Sequence, residues 1–125
     1  MTASELRYLL AARSLGDEKS SVRLTDLADK MRVTKVSVYR MCERLKEQGL
    51  IRQEERGHIF LPQKCLALLE EYTLCIRFIS GALENCCHTP KNTAYFEAVN
   101  TICAVGDFSR AALVKYLKRK NGTLS

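Results

Sequence analysis

Between Leu24 and Leu45 the chain sets two amphipathic segments so close together that they have few ways to pack. In LTDLADKMRVTKVSVYRMCERL, Leu27, Ala28 and Met31 recur at helical spacing. After Arg32-Val33-Thr34 a second run, Val38, Met41, Cys42 and Leu45, does the same. So short a connection forces two helices to cross at a tight turn, and the crossing needs a small side chain, which Ala28 supplies. Thr25 and Thr34 read as the N-caps of the two helices. Leu27, Met31, Val33, Val38 and Met41 are expected to be buried between them. Arg32 stands where such a turn takes positive φ and glycine is usual, a mismatch worth about 1 kcal/mol.

The flanking sequence extends this pair into a recognisable order. Leu6, Leu9, Leu10, Ala12 and Leu15 predict a first helix that stops at Gly16, before the polar turn DEKSS. Val22 and Leu24 alternate across Arg23 and suit a short strand. After Gly49, Leu50–Glu54 and His58–Leu61 alternate on either side of Glu55-Arg56-Gly57, the pattern of a hairpin. The only two prolines, Pro62 and Pro90, fall where periodic segments begin. From Pro62 to about Leu83 the apolar residues cover more than half of a helix surface, which needs two partners. A polar linker, Glu84–Thr93, leads to an apolar stripe of Tyr95, Phe96, Val99, Ile102 and Val105, and a last helix runs from Ser109 to Lys120. The expected class is mainly α with a small β-hairpin wing: a winged helix-turn-helix over residues 1–61, then a helical region over residues 62–125 for dimerisation and a possible effector.

Net charge is +6 and is shared evenly by the two halves, so it says little alone. Between Lys30 and Lys46, however, Lys30, Arg32, Lys35, Arg40, Arg44 and Lys46 face a single acid, Glu43. A basic stripe on one short segment points to a polyanion. At 100° per residue, Val38, Met41 and Leu45 share the inner face of the second helix, leaving Val36, Tyr39, Arg40 and Glu43 outside. Arg40 is placed to donate a bidentate pair to guanine, Tyr39 and Val36 to touch a thymine methyl, and Thr34, Lys35 and Ser37 to meet phosphate. Arg44 continues the stripe. Arg52, Arg56 and His58 on the hairpin have the place of a wing that touches backbone or minor groove. The partner expected is double-stranded DNA. The alternative is a winged-helix adaptor that recruits another protein. No enzyme signature competes.

VRLTDLADKMRVTKVSVYRMCERLKEQGLI and RGHIFLPQKCLALLEEYTLCIRFISGAL resemble the winged-helix core, wing and long helix of the metal-dependent repressors of the diphtheria toxin repressor and manganese transport regulator family. FSRAALVKYL resembles, more weakly, a serine-led helix of their dimerisation region. A family glycine in the second block appears here as Cys65. The resemblance implies a homodimeric transcriptional regulator, a repressor on a palindromic operator, whose DNA affinity rises when iron or manganese binds. It breaks down at the metal ligands it implies. Arg7 and Leu10 stand in place of first-helix carboxylates, no histidine lies between Thr73 and Ile76, and Val105 and Gly106 replace the acid and histidine that should precede Ser109.

Six cysteines in a chain expected to be cytoplasmic are expected to be thiols rather than a disulfide framework. The N-terminus places Glu5, Arg7 and Arg13 inside its apolar stretch, the wrong order for a signal peptide. No run of about eighteen uncharged apolar residues exists to span a membrane. Cys42, Cys75 and Cys103 lie on apolar faces, where free cysteine packs as a small hydrophobe. Cys86, Cys87 and His88 sit in the polar linker and, with Cys75 and Cys103, are the candidates for a cysteine-based metal or redox sensor. They would suit zinc or another soft ion rather than the iron or manganese of the resemblance.

Overall fold

The computed structural model describes residues 1–122, apart from the Arg56 side chain. Six helices and a small sheet follow one another as α1 (Ala3–Glu18), β1 (Val22–Arg23), α2 (Leu24–Met31), α3 (Lys35–Glu47), β2 (Arg52–Gln53), β3 (His58–Phe60), α4 (Gln63–Cys87), α5 (Lys91–Ala104) and α6 (Asp107–Gly122). The chain divides into two compact units, one over Thr2–Leu69 and one beginning at Glu70.

In the first unit, Thr2 opens α1 with a capping box: its Oγ1 accepts from the Glu5 backbone at 3.1 Å, and Glu5 Oε1 accepts from the Thr2 backbone at 2.7 Å. Gly16 does not end α1, which runs one half-turn further to Glu18. The start of α2 also differs from expectation. Thr25 lies inside the helix and the N-cap is Arg23, whose backbone N–H is accepted by Asp26 Oδ2 at 2.9 Å. Asp26 is held in turn by Lys19 at 2.9 Å. Thr34 does cap α3, its Oγ1 accepting from the Ser37 backbone at 3.1 Å.

Two helices of this unit end through left-handed residues. At Gly49, φ is 73°, and the Leu50 and Gly49 backbones donate to Leu45 and Lys46. At Arg32, φ is 55° and ψ is 46°, with Val33 donating to Ala28 at 3.1 Å. The glycine-like geometry expected there is present, carried by an arginine. Arg32→Gly is therefore expected to raise the unfolding free energy by about 0.5–1 kcal/mol. Urea titrations of the two proteins give the comparison, and an unchanged or lowered midpoint would mean the turn carries no backbone strain.

The hairpin is one strand short of the observed sheet. β2 pairs antiparallel with β3 (Arg52 opposite Phe60), and β3 also pairs antiparallel with β1 (Val22 opposite Ile59, Arg23 opposite His58). A single 3-10 turn, Glu55–Gly57, joins β2 to β3, with Gly57 at φ 74°. Leu6, Leu9, Leu27, Val38 and Leu45 are fully buried, and α2 packs on both α1 and α3. Val33 is instead 36% exposed, because the left-handed residue before it turns the chain outward, and Met31 is half-buried.

Pro62, in the first unit, and Pro90, in the second, stand immediately before α4 and α5. Cys86 and Cys87 belong to the last turn of α4, not to a linker, which shrinks to His88–Pro90. His88 ends the helix at φ 55°. The buried side of α5 is Ala94, Ala98, Val99 and Ile102, whereas Tyr95 and Phe96 are 49% and 55% exposed. The stripe is displaced because Ala94 and Ala98, not the aromatics, take the buried side of the helix. The last helix begins at Asp107, two residues before Ser109. Phe78 and Tyr116 meet edge to face at 6.5 Å between α4 and α6. Arg110 of α6 reaches Tyr72 of α4, its Nη1 donating to the Tyr72 oxygen at 3.0 Å. Among the described residues no helix is long and apolar enough to cross a membrane.

Candidate nucleic-acid interface

The outward face of α3 is set by what its inner face buries. Val38 and Leu45 are fully buried and Met41 and Cys42 nearly so, and the 3.6-residue period then turns Lys35, Val36, Tyr39 and Arg40 to solvent. Val36 and Tyr39 are more than half exposed. Among the described residues no ion pair or hydrogen bond engages the side chains of Lys35, Arg40 or Arg52, so their charges stay available. The Thr34 hydroxyl donates to Ser37 Oγ at 2.9 Å, which leaves the Ser37 hydroxyl proton to point outward.

The carboxyl end of α3 is engaged elsewhere. Arg44 Nη2 and Gln48 Nε2 donate to Glu5 Oε2 at 3.3 and 2.6 Å. Glu5 is 3% exposed, so this carboxylate clamps α3 against α1. Burial alone would raise its pKa, but the hydrogen bonds from Thr2 and Gln48 and the charge of Arg44 hold it below the ordinary value. Lys46 pairs with Glu43 at 2.6 Å and reaches Gln53 of β2 at 2.9 Å. That bond to Glu43 holds the Lys46 ammonium above its ordinary pKa. The basic stripe is thus free at its amino-terminal half and neutralised by acids at the other.

His58 is built into the sheet. Arg23 Nε donates to His58 Nε2 at 3.1 Å, and Nδ1 is hydrogen-bonded to Ser21 Oγ. Both ring nitrogens are thus engaged within the sheet, and neither faces outward unpaired. Around it the wing carries exposed Arg52 beside exposed Glu54 and Glu55. Arg56 lies on the 3-10 turn, and its side chain falls outside the described residues.

Two further contributors, Leu24 and Thr25, escape a reading of α3 alone. With Lys35, Val36 and Tyr39 they line an open apolar hollow beside the start of α3. Their proximity depends on the α2–α3 crossing, and the only sequence signal is the tight spacing itself.

The candidate metal ligands are not brought together. Among the described residues no group of three or more His, Cys, Asp or Glu side chains converges. Cys75 is buried, Cys103 half-buried, and Cys86, Cys87 and His88 are exposed. Burial pushes the Cys65 and Cys75 thiols up, and Cys42 up to about 11, which keeps them protonated near neutral pH.

Residues 13–55 match the IclR helix-turn-helix domain family. No curated protein matches the chain. Among solved structures, a hypothetical protein from Sulfolobus solfataricus superposes with a TM-score of 0.69 at 19% identity, covering 98% of this chain and 91% of that one. The metal-dependent transcriptional regulator MtsR gives 0.76 at 21% identity, covering 98% of this chain and 55% of that one. The manganese regulator SloR gives 0.72 at 22% identity, covering 94% and 53%. The chain therefore spans just over half the length of those two regulators. The fold is a winged helix-turn-helix with a helical carboxyl-terminal region, as the sequence pattern implies.

Proposed function

We propose that this winged helix-turn-helix chain is a DNA-binding transcriptional regulator, a repressor that reads a palindromic operator as a homodimer. The observation that carries it is the amino-terminal face of α3, where Lys35 and Arg40 stand exposed and unpaired around Val36 and Tyr39. A cation fork beside apolar groups is what major-groove base edges accept, and the hydroxyls of Thr34 and Ser37 with Lys35 suit the flanking phosphates. The match to a helix-turn-helix family and the likeness of fold to transcriptional regulators support the same role.

In this proposal residues 1–61 bind DNA and residues 62–125 pair the subunits. One winged helix reaches only a half-site, and two held about one helical turn apart gain affinity and read a palindrome. Phe78, Tyr95, Phe96 and Tyr116 are each 42–55% exposed, and Phe108 is 87% exposed. Such aromatics on the helical region suit a subunit interface.

The test is selection from a randomised duplex pool, followed by anisotropy titrations across a salt series. Arg40→Ala is expected to reduce discrimination between the selected and a scrambled duplex by about 1–3 kcal/mol. Arg52→Ala is expected to weaken both duplexes alike and to lower the salt slope by about 1. Equal losses on both duplexes from both changes would mean that α3 does not read bases. A pool that never enriches would favour a protein partner for the Leu24–Tyr39 hollow, and a monomer by light scattering would remove the dimer.

A further inference from the structure

Two of the segments that the resemblance reserves for a divalent ion meet, in this chain, around a side chain that is itself a cation. Besides first-helix carboxylates, where Arg7 and Leu10 stand, the resemblance asks for a histidine of α4 between Thr73 and Ile76, and for an acid and a histidine at Val105 and Gly106, just before α6. The donors present do not fit a divalent ion. No three-ligand group converges among the described residues, Cys75 is buried, and Cys86 lies about 16 Å further along α4.

At that same place Arg110 Nη1 donates to the Tyr72 oxygen at 3.0 Å and to Asp107 Oδ1 at 2.9 Å. Its guanidinium carbon stands 4.9 Å from the centre of the Tyr72 ring. Tyr72 immediately precedes the segment 73–76, and Asp107 immediately follows Gly106. The Arg110 side chain is 19% exposed, and Asp107 is 94% exposed. A divalent ion brought here would meet the guanidinium charge, and the Asp107 carboxylate beside it is exposed and already paired with Arg110.

We propose that Arg110 is a built-in cation that holds α6 on α4, so that DNA binding by this protein is independent of divalent metal. Arg110 is a positioning residue: it sets the packing of the region proposed to pair the subunits, and through that the half-site spacing. This rests on the DNA-binding role proposed above.

The test uses the full chain, the duplex enriched from the random pool, and EDTA, Mn(II), Fe(II) or Zn(II) in separate titrations. The parent is expected to bind within about twofold under every condition, and Arg110→Ala to bind about tenfold or more weakly. Millimolar methylguanidinium chloride should restore the alanine variant, whereas the same concentration of sodium chloride should not. Arg110→Lys should remain weak, because the compact, strongly hydrated ammonium lacks the planar face that the guanidinium sets over the Tyr72 ring. Metal raising parent affinity more than about tenfold would overturn the proposal, as would an unimpaired Arg110→Ala or equal rescue by sodium chloride. If Arg110→Ala does not fold, Tyr72→Phe removes the acceptor and keeps the ring, and the parent titrations need no variant. Thermal unfolding separates the two proposals. A pool that enriches nothing sinks the DNA-binding role, while a parent melting midpoint raised by Mn(II) or lowered by EDTA sinks the metal-independent one.

Discussion

Leu27→Ala is expected to lower the unfolding free energy by about 2–5 kcal/mol. The magnitude follows from how little else holds α2. The helix is 8 residues long, too short to persist by itself, and Leu27 and Ala28 are its only buried side chains. Leu27 is 0% exposed, in a helix that packs on both α1 and α3, so truncation leaves a cavity beside the crossing of the two helices. Against a total stability of about 5–15 kcal/mol for a domain of this kind, the loss is large. Urea denaturation followed by circular dichroism measures it, with Val36→Ala as the control. Val36 is 59% exposed, and its truncation is expected to move stability by less than about 0.5 kcal/mol. Similar midpoints for the two variants would show that the crossing does not depend on Leu27.

Glu5→Ala is expected to cost about 2–3 kcal/mol at neutral pH, because it removes the acceptor for Thr2, Arg44 and Gln48 in one step. Arg44 is 55% exposed and recovers water, so the loss stays below that of an ion pair buried on both sides. The effect has a defined pH dependence. The folded-state pKa of Glu5 is depressed, since hydrogen bonds and the Arg44 charge outweigh burial. Its contribution is therefore fully present above the unfolded carboxylate's pKa of about 4.3 and is lost as pH falls through the lower folded value. Parent and variant should differ at pH 7 and converge in acid. A gap that stayed constant down the pH range would mean that the ionised form of Glu5 is not what holds α3.

How much of this was legible in the sequence depended on the range of the interactions. Thr34, Ala28 and Arg32 act within a few residues of their own helices, and spacing alone places the cap, the crossing and the left-handed turn. Thr25 misleads because a hydroxyl is only one way to begin a helix, and Asp26 reaching back to Arg23 is another. The pairing of β1 with β3 rests on two residues joined across more than thirty positions, with no periodicity to announce it. Glu5 is equally remote from Arg44, so a stripe that carries one acid in sequence becomes one that is half neutralised in space. Cys86 and Cys87 read as linker because the apolar period stops at Leu83 while the helix continues, both thiols being exposed on its last turn.

Arg32 has a consequence for how such a protein can change over generations. Every arginine codon is one base from a glycine codon, so the strain at φ 55° can be relieved by a single point mutation that raises stability. Stability is selected only up to what function requires, and gains beyond that threshold are readily left unclaimed. An exposed cation three residues ahead of α3 is what the glycine would delete. The position therefore sets a mutational conflict between a firmer fold and a more positive approach to the recognition helix. Laboratory selection for thermal tolerance alone should resolve it towards glycine, whereas selection for operator occupancy should keep the arginine.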